Sequence, residues 1–321
     1  MQYETVETGS IDISDDRFIV SYFNSLELLG ASLKKVGQIY PVILRENLTK
    51  RGFTLVAGYK RYLVLKDSQG FVNALIYKQC ELKDLDALFL SLNDNITSRG
   101  LNEVEKSSVL HKLKNYYHIS DDDLISNILP LLNISPHKNT LDLYMRVNDL
   151  DSEIKHALAF EGLPMKVALK LLEFEKEERI FLFSVVRRLK MGMNKATEFL
   201  ELSEDILQRD QISIQTLWDK IAAQGICEDY RLSNPQKGDE ICVRLKRIRF
   251  PRLSIKEDTF FEYIRALKLP PHMKLIPPKY FEGTTFKVKF AFENTSELKG
   301  AVDKLTEVAE SSEIERIVDL V

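Results

Sequence analysis

One stretch of the chain reads Phe53-Thr-Leu-Val-Ala-Gly58-Tyr59-Lys60-Arg61-Tyr62-Leu63-Val64-Leu65. Its apolar run ends before a glycine, and two cations then precede apolar residues at helical spacing. This pattern predicts a strand that turns at Gly58 into a helix whose first turn carries Lys60 and Arg61. A helix N-terminus has unpaired N–H groups and a partial positive charge, so the added cations favour an anion site, most often for phosphate. The alternative is that Gly58 serves only as a turn and the cations are solvated.

Composition limits the classes of protein that the chain can represent. Its 321 residues suffice for two or three domains, and a net charge of −3 means that any nucleic-acid contact must come from a local basic patch. The three cysteines are far apart and the five histidines show no metal-ligand pairing, which argues against a disulfide framework and a zinc site. We expect a cytoplasmic protein, because no apolar stretch is long enough to span a membrane and the N-terminus lacks a signal-peptide pattern.

The chain divides by pattern into four segments. Residues 1–97 are predicted as a mixed α/β unit, with strands near residues 11–13, 42–44, 53–56 and 72–77 and helices at 26–36, after Gly58 and at 82–93. Residues 98–202 are predicted to be helical. Capping signals at Asn102, Ser120 and Ser135-Pro136 open successive short helices, which is typical of a helix-turn-helix domain.

The C-terminal half is predicted as a connector followed by a small domain. Residues 203–240 are predicted as a helical connector from 205 to about 228 that ends in a polar linker at 233–238. Residues 241–321 are predicted as a small α+β unit with helices at 255–267 and 296–309 and strands near 273–276 and 285–292. The predicted fold class is therefore an α+β multidomain chain, with an α/β N-terminal domain, an all-α middle domain and a small α+β C-terminal domain.

Two further blocks accompany the Gly58 stretch. The earlier block contains Gly37, has three residues before Pro41 and continues as a β-rich run ending in Arg45. The later block reads Asn93-Asp94-Asn95-Ile-Thr-Ser-Arg99-Gly-Leu-Asn102. In this order and spacing, the three blocks resemble the ParB family of DNA-partition proteins over roughly residues 10–190. Arg17 also lies where that family places an arginine near its N-terminus.

The resemblance implies a ParB/sulfiredoxin-like N-terminal domain followed by a helix-turn-helix domain. It also implies a homodimer that binds CTP with Mg²⁺ and closes as a clamp on DNA. Arg61 would contact the triphosphate, and Lys60 stands where the family has another arginine. The nucleotide-binding residues that the resemblance assigns are Gly37, Arg45, Gly58, Tyr59, Lys60, Arg61, Asn95 and Arg99. Asp94 and Asn95 would orient Mg²⁺ through oxygen ligands; the alternative for this pair is a loop or N-cap role.

Two positions depart from the family pattern. The acidic residue expected after the glycine is Tyr59, and the glutamine expected before the proline is Tyr40. We therefore expect CTP hydrolysis to be slow at most. Either tyrosine is suited to stack on a base or to pack against neighbouring side chains. The catalytic cysteine of sulfiredoxins is also replaced by Tyr59, which excludes that thiol chemistry.

Two segments are candidates for DNA contact. A reading helix is expected around residues 136–149, and its candidate contacts are His137, Lys138, Asn139, Thr140 and Arg146. Residues 118–150 hold only two cations against five aspartates, and a net-acidic segment is poorly suited to bind DNA. The alternative role of this helical segment is contact with other proteins.

The second segment carries five cations and no acid, namely Arg244, Lys246, Arg247, Arg249 and Arg252. A solvated charged helix face is its alternative. Lys287 and Lys289 lie on the outer face of a predicted strand. They would either extend this basic patch or keep an exposed sheet edge from pairing with another chain.

The sequence therefore predicts a ParB-like DNA-binding protein for chromosome or plasmid partition, or for a related nucleoid or regulatory role. A Walker-type ATPase is the partner that the resemblance implies. One alternative is a nucleotide-dependent enzyme on the same fold, a phosphotransferase or a nuclease, with Asp94 as the candidate base. The other is a non-catalytic interaction protein, which the acidic helix-turn-helix segment favours.

Overall fold

The computed structural model describes residues 1–47 and 52–321. These residues form two compact units, Met1–Arg179 and Ile180–Val321, which we call unit 1 and unit 2. The predicted domain limits after residues 97, 202 and 240 stay predictions.

Unit 1 begins with a five-stranded mixed sheet in the order β1-β5-β3-β4-β2. The elements are β1 (Gln2–Glu7), β2 (Ile11–Asp12), α1 (Glu27–Val36), β3 (Val42–Asn47), β4 (Gly52–Ala57), α2 (Tyr59–Ser68), β5 (Phe71–Tyr77) and α3 (Asp84–Arg99). Central β3 runs antiparallel to β4 and parallel to β5. Residues 48–51, between the strands predicted near 42–44 and 53–56, lie outside the described residues. Strand β1 was not predicted, because Val6 is its only buried residue and the strand lies at the sheet edge.

Helices cover both faces of this sheet. Leu55 of β4 packs in a cluster with Tyr62 and Leu65 of α2, whereas the next residue, Val56, packs with Leu88 and others from α3. Alternate residues of the strand thus face two different cores, which explains the continuous apolar run before Gly58. The end of β4 and the start of α2 are thereby held in place from both sides.

The rest of unit 1 is helical. Its elements are α4 (Glu103–Asn115), α5 (Asp121–Asp123), a π-helical turn (Leu124–Ile128), α6 (Leu129–Leu131), α7 (Lys138–Val147), α8 (Ser152–Phe160), α9 (Met165–Leu171) and α10 (Lys176–Arg188), the last crossing into unit 2. Asn102 and Glu105 form the predicted capping box at the start of α4. Leu110 and Leu113 of α4 lie in the same buried cluster as Leu88 of α3, so these two helices share a core.

In the part of the chain that the structure describes, unit 2 continues with seven α-helices and two strands. They are α11 (Met193–Asp210), α12 (Ile214–Lys220), α13 (Ala223–Glu228), α14 (Asn234–Arg249), α15 (Pro251–Ala266), β6 (Met273–Ile276), β7 (Lys287–Phe290), α16 (Thr295–Ala309) and α17 (Ser312–Val318). Strands β6 and β7 pair antiparallel. A small core around Phe260, Phe281 and Ile317 lies in the C-terminal part of this unit. Within the described residues, no helix is both long and apolar enough to cross a membrane.

The connector predicted at residues 205–228 is helical and is interrupted twice, where Gln211 and Ala222 adopt left-handed backbone conformations with φ of 50° and 47°. One prediction for unit 2 is wrong. The stretch at 233–238 is not a linker but the start of α14. Ser233 and Gln236 form a capping box there, with Pro235 in the first turn. The residues that suggested a break are the residues that begin a helix.

Candidate functional site

All three predicted sequence blocks contribute to one cavity in unit 1, with a volume of about 590 Å³. The first block contributes Tyr40, Pro41 and Ile43, and the other two blocks contribute seven of the predicted site residues. Those seven are Gly58, Tyr59, Lys60, Arg61, Asp94, Asn95 and Arg99. A larger cavity, of about 810 Å³, lies in unit 2 and contains none of the residues of these blocks.

Gly58 fixes the turn at the floor of this cavity. Its φ of 92° and ψ of 25° lie in the left-handed region, and an added Cβ would lie 2.9 Å from Cγ1 of Val42. Both the backbone conformation and the space therefore require glycine. Helix α2 follows at once, and no side-chain cap is described at its N-terminus. Its first N–H groups are thus available for an anion.

Arg61 joins the three blocks. Its Nη1 donates a hydrogen bond to the Tyr40 carbonyl at 3.3 Å, and its Nη2 lies 3.6 Å from Oδ2 of Asp94. The long contact with Asp94 is an ion pair without a tight bidentate geometry. The guanidinium therefore has donors left over for a further anion.

Lys60 is the second cation of the turn. Burial, and after it the positive charge of Arg99, lowers the pKa of Lys60 from its usual value. The ammonium lies 5.5 Å from the ring centroid of Phe23, whose ring also lies 6.2 Å from that of Tyr59. Tyr59 thus packs against an aromatic neighbour, one of the two roles expected for it. A bound anion would offset the cost of keeping Lys60 charged.

Arg99 is held by a residue that the sequence analysis did not assign to the site. Glu105 receives both arms of the Arg99 guanidinium, at 2.8 and 2.7 Å, and its side chain is 0% exposed. The same carboxylate accepts hydrogen bonds from the backbone N–H of Tyr22 at 2.7 Å and of Asn102 at 3.0 Å. Four donors therefore satisfy this buried carboxylate.

Asp94 and Asn95 lie inside α3, so the alternative loop or N-cap role for this pair is wrong. Oδ1 of Asn95 accepts a hydrogen bond from Arg99 at 2.8 Å, and its amide donates to the Ser91 carbonyl at 2.8 Å. In the described part of the chain, no group of three His, Cys, Asp or Glu residues could hold a metal ion alone. Mg²⁺ commonly binds through one or two carboxylates plus substrate phosphates, and Asp94 fits that chemistry.

Arg45 does not reach this cavity, contrary to its prediction as a phosphate contact. Its side chain is 6% exposed and forms an ion pair with Asp84, with Nη1 2.5 Å from Oδ1. Arg17 reaches the other oxygen of Asp84 at 2.6 Å. Arg45 thus joins strand β3 to the start of α3, and Arg17 joins the segment after β2 to the same aspartate. Gly37, with a φ of 76°, ends α1 and does not line the cavity either.

Helix α7 carries the predicted DNA contacts on its solvent side. His137, Lys138, Asn139 and Arg146 are exposed and Thr140 is half-buried, while Leu141, Tyr144 and Val147 face the core. Nζ of Lys138 lies 2.7 Å from Asp121 and 2.9 Å from Asp142. Hydrogen bonds to Lys114 and then to Lys138 hold the pKa of Asp121 below its usual value. The basic residue best placed for phosphate is therefore neutralised within the protein.

Four of the five cations of the predicted basic segment form ion pairs in the same way, and DNA contact by this segment stays a prediction. Its ion pairs are Arg244–Glu240 at 2.8 Å, Lys246–Glu198, Arg247–Asp258 at 3.2 Å and Arg249–Asp205 at 2.8 Å. The acids come from α11, α14 and α15, so counting cations along one segment overstates the local charge. The charge balance agrees with the alternative of a charged helix face.

The chain matches no family model. It is 26% identical over 211 residues to the "Probable chromosome-partitioning protein ParB" of Vibrio cholerae serotype O1, covering 62% of this chain and 68% of that relative. The predicted resemblance to the ParB family is confirmed.

Three solved ParB structures are also similar. The C-terminally truncated ParB from Caulobacter crescentus complexed with CTP-gamma-S is 19% identical, covers 56% of this chain and 99% of its own, and has a TM-score of 0.28. The same protein complexed to the centromeric parS site is 17% identical, with coverages of 60% and 96% and a TM-score of 0.34. A Pnob8-like ParB-N domain is 19% identical, with coverages of 77% and 97% and a TM-score of 0.36. At TM-scores this low, these structures add no support for a function.

The resemblance to ParB proteins thus identified the turn and the α3 segment but missed Glu105. The sequence did single out Glu105 in one respect, because Asn102 and Glu105 have the spacing of a capping box. A capping glutamate is usually solvated. Nothing in the local pattern indicates that Glu105 is fully buried and paired with an arginine six residues earlier.

Proposed function

We propose that this chain is a ParB-like DNA-partition protein that binds a nucleoside triphosphate, CTP with Mg²⁺, in the cavity of unit 1. One observation carries the proposal: three separated sequence blocks contribute to one cavity at an uncapped helix N-terminus, with Lys60, Arg61 and Arg99 on its wall. The relative from Vibrio cholerae, described as a chromosome-partitioning protein, supports the same role. A homodimer, a Walker-type ATPase partner and a cytoplasmic location are further parts of the proposal.

The protein groups at the cavity have separate tasks in this proposal. The N–H groups at the start of α2 and the Arg61 guanidinium bind phosphate oxygens. Asp94 is the carboxylate that would hold Mg²⁺, which supplies neutralisation of phosphate charge when bound. Tyr40 and Tyr59 provide no carboxylate to activate water, and the one at Asp94 would be occupied in holding Mg²⁺. We therefore expect binding with slow hydrolysis at most, and we do not favour the phosphotransferase or nuclease alternative.

Glu105 is suited to couple this cavity to the helical part of unit 1. Its carboxylate contacts Arg99 at the cavity, the backbone of Tyr22, and the first turn of α4. Lys112, further along α4, donates to the carbonyl of Ile19 at 2.8 Å. The segment around Tyr22 is therefore fastened to α4 at two points. A phosphate that draws Arg99 toward the cavity would change the balance of these contacts, as nucleotide-gated closure requires.

Removing the Arg61 side chain tests the nucleotide site. We expect Arg61→Ala to weaken CTP–Mg²⁺ binding about 100-fold or more, because two charge-assisted hydrogen bonds to phosphate are worth about 3 kcal/mol or more. The control is Lys66→Ala, an exposed cation in the last turn of the same helix. Isothermal titration calorimetry measures both. Equal affinity of the two variants for CTP would show that the site is wrongly assigned.

DNA binding by α7 is the second part of the proposal. Asp121, the acid that pairs with Lys138 of α7, provides a test. Replacing Asp121 with asparagine removes the charge that holds Lys138 and Lys114, at 2.7 and 2.6 Å. We expect Asp121→Asn to raise the affinity for duplex DNA several-fold at low salt, since each released cation can neutralise a phosphate. Asp122→Asn, which changes an exposed neighbour, is the control. A gain no larger than the control's, measured by fluorescence anisotropy, would argue against DNA contact at α7.

A further inference from the structure

The larger cavity, in unit 2, has mainly apolar walls. Its volume is about 810 Å³, and residues of α15, β6 and the turn Lys279–Phe281 line it. Two aromatic side chains at this cavity are more than half exposed, Phe261 at 56% and Tyr280 at 59%. The wall also contains prolines, whose fixed φ angles limit its movement, at positions Pro270, Pro271, Pro277 and Pro278. Concave sites of this volume and lining are typical of ligand sites, and we call this one the unit 2 cavity.

A strained turn places one of the exposed aromatic side chains. Tyr280 and Phe281 both have left-handed backbone conformations, with φ of 58° and 57°, which cost free energy for any residue other than glycine. The turn buries Phe281, whose ring centroid lies 5.6 Å from that of Phe260, and leaves Tyr280 exposed at the cavity. Backbone strain of this kind is concentrated at binding sites, so it points to a use for the exposed tyrosine.

The charged residues at the unit 2 cavity are predominantly basic. Glu257 is the one acid that lines it, and the cations that line it, all exposed, are Arg265, Lys268, Lys274 and Lys279. Among the described residues, none of these four cations forms an ion pair with an acid, whereas Arg247 of α14 pairs with Asp258 at 3.2 Å. The cavity therefore combines apolar walls with positive charge that the protein does not neutralise.

We propose that the unit 2 cavity binds an acidic segment of another protein. Phe or Leu side chains of that segment would enter the cavity beside Phe261 and Tyr280, and flanking Asp or Glu side chains would pair with the four cations. A second copy of this chain fits less well, because a two-fold interface would bring the same four cations together. A membrane fits less well, because lipid contact uses an apolar face that enters the bilayer, whereas these apolar residues line a cavity.

The probe is a fluorescein-labelled peptide in which Phe and Leu alternate with Asp and Glu. It is titrated by fluorescence anisotropy against the full chain, and we expect saturable binding that weakens as salt is raised. One comparison peptide has Lys in place of the acids, and another has Ser in place of Phe and Leu. Each should bind at least about tenfold more weakly, because each lacks one of the two features that the cavity recognises.

Removing the exposed tyrosine tests the apolar part of the site. We expect Tyr280→Ala to weaken binding of the acidic peptide about tenfold or more, as truncation of an aromatic anchor usually does. The matched control is Tyr230→Ala, because Tyr230 is 92% exposed and does not line the cavity. Equal peptide affinity of these two variants would contradict the proposal.

Reversing charge tests the basic part of the site. The double variant Lys268→Glu, Lys279→Glu should bind the acidic peptide about tenfold more weakly and the Lys-containing peptide several-fold more tightly than the wild type does. A misfolded variant would not gain affinity for the second peptide. The control Lys220→Glu, Lys299→Glu changes two exposed lysines of unit 2 outside the cavity, and so carries the same change in net charge. It should leave both affinities unchanged.

Three results would overturn the proposal. The first is failure of the wild-type chain to bind the acidic peptide, or equal binding of all three peptides. The second is a Tyr280→Ala variant that sediments as a smaller species with unchanged peptide affinity, which would make the cavity a contact between copies. The third is unchanged peptide affinity in that variant with loss of binding to phosphatidylserine vesicles. The proposal does not rest on the nucleotide site, so both Tyr280→Ala and the charge reversal should bind CTP as the wild type does.

Discussion

Replacing Glu105 with alanine is expected to lower the free energy of unfolding of unit 1 by about 3–5 kcal/mol, the usual cost of removing one partner from a buried ion pair. The variant leaves Arg99 without its bidentate partner and the N–H groups of Tyr22 and Asn102 without their acceptor. In a unit of this size, such a loss lowers the melting temperature by about 6–20 °C. Differential scanning calorimetry measures it.

Glu105→Gln provides the matched comparison. Glutamine keeps the shape of the side chain and can complete a capping box, but it removes the negative charge beside Arg99. We expect Glu105→Gln to lower the free energy of unfolding less than Glu105→Ala does. The difference between the two variants measures what the hydrogen bonds alone contribute. A melting temperature for Glu105→Ala within about 2 °C of the wild type would show that this carboxylate does not hold the junction of α3 and α4 together.

Gly58→Ala is expected to have the second large effect. An alanine pays about 1–2 kcal/mol for the left-handed backbone conformation. Its Cβ would also lie 2.9 Å from Val42 Cγ1, and overpacking of this kind costs about 1–3 kcal/mol. Because any relief moves the start of α2, Arg61 and the helix N–H groups should shift as well. We therefore expect lower stability and loss of nucleotide binding together.

Gly225→Ala is the control for this substitution. Gly225 lies inside helix α13 and an added Cβ meets nothing within 4 Å. Alanine should therefore stabilise the protein by about 0.4–1 kcal/mol. If Gly58→Ala matched this control in thermal stability and in CTP titration, the strained turn at the cavity would have no importance for either.

Much of the α/β part of unit 1 follows from its sequence. The apolar run up to Ala57, Gly58 and the following periodic residues predicted a strand, a turn and a helix, and the structure has β4 and α2 there. These elements are predictable because their signals are local: alternation, glycine and helical spacing. The edge strand β1 has only one buried residue and leaves almost no such signal.

The partners of charged residues did not follow from the sequence. Arg45 was predicted at the nucleotide site, but Asp84, which is 39 residues later, holds it at the start of α3. The cations of α14 are paired with acids from α11 and α15 that a linear count of charges does not include. Such pairs depend on tertiary packing. For the same reason, the role of Glu105 became apparent only when its burial was known.

The central claim is that the cavity at Gly58 binds a nucleoside triphosphate and selects CTP. The most direct test is calorimetric titration of the wild-type chain with CTP, ATP, GTP and UTP, each with Mg²⁺. Our account predicts saturable binding of CTP in preference to the other three. Absence of binding for all four nucleotides would contradict it and would favour a non-catalytic interaction protein on a ParB-like scaffold.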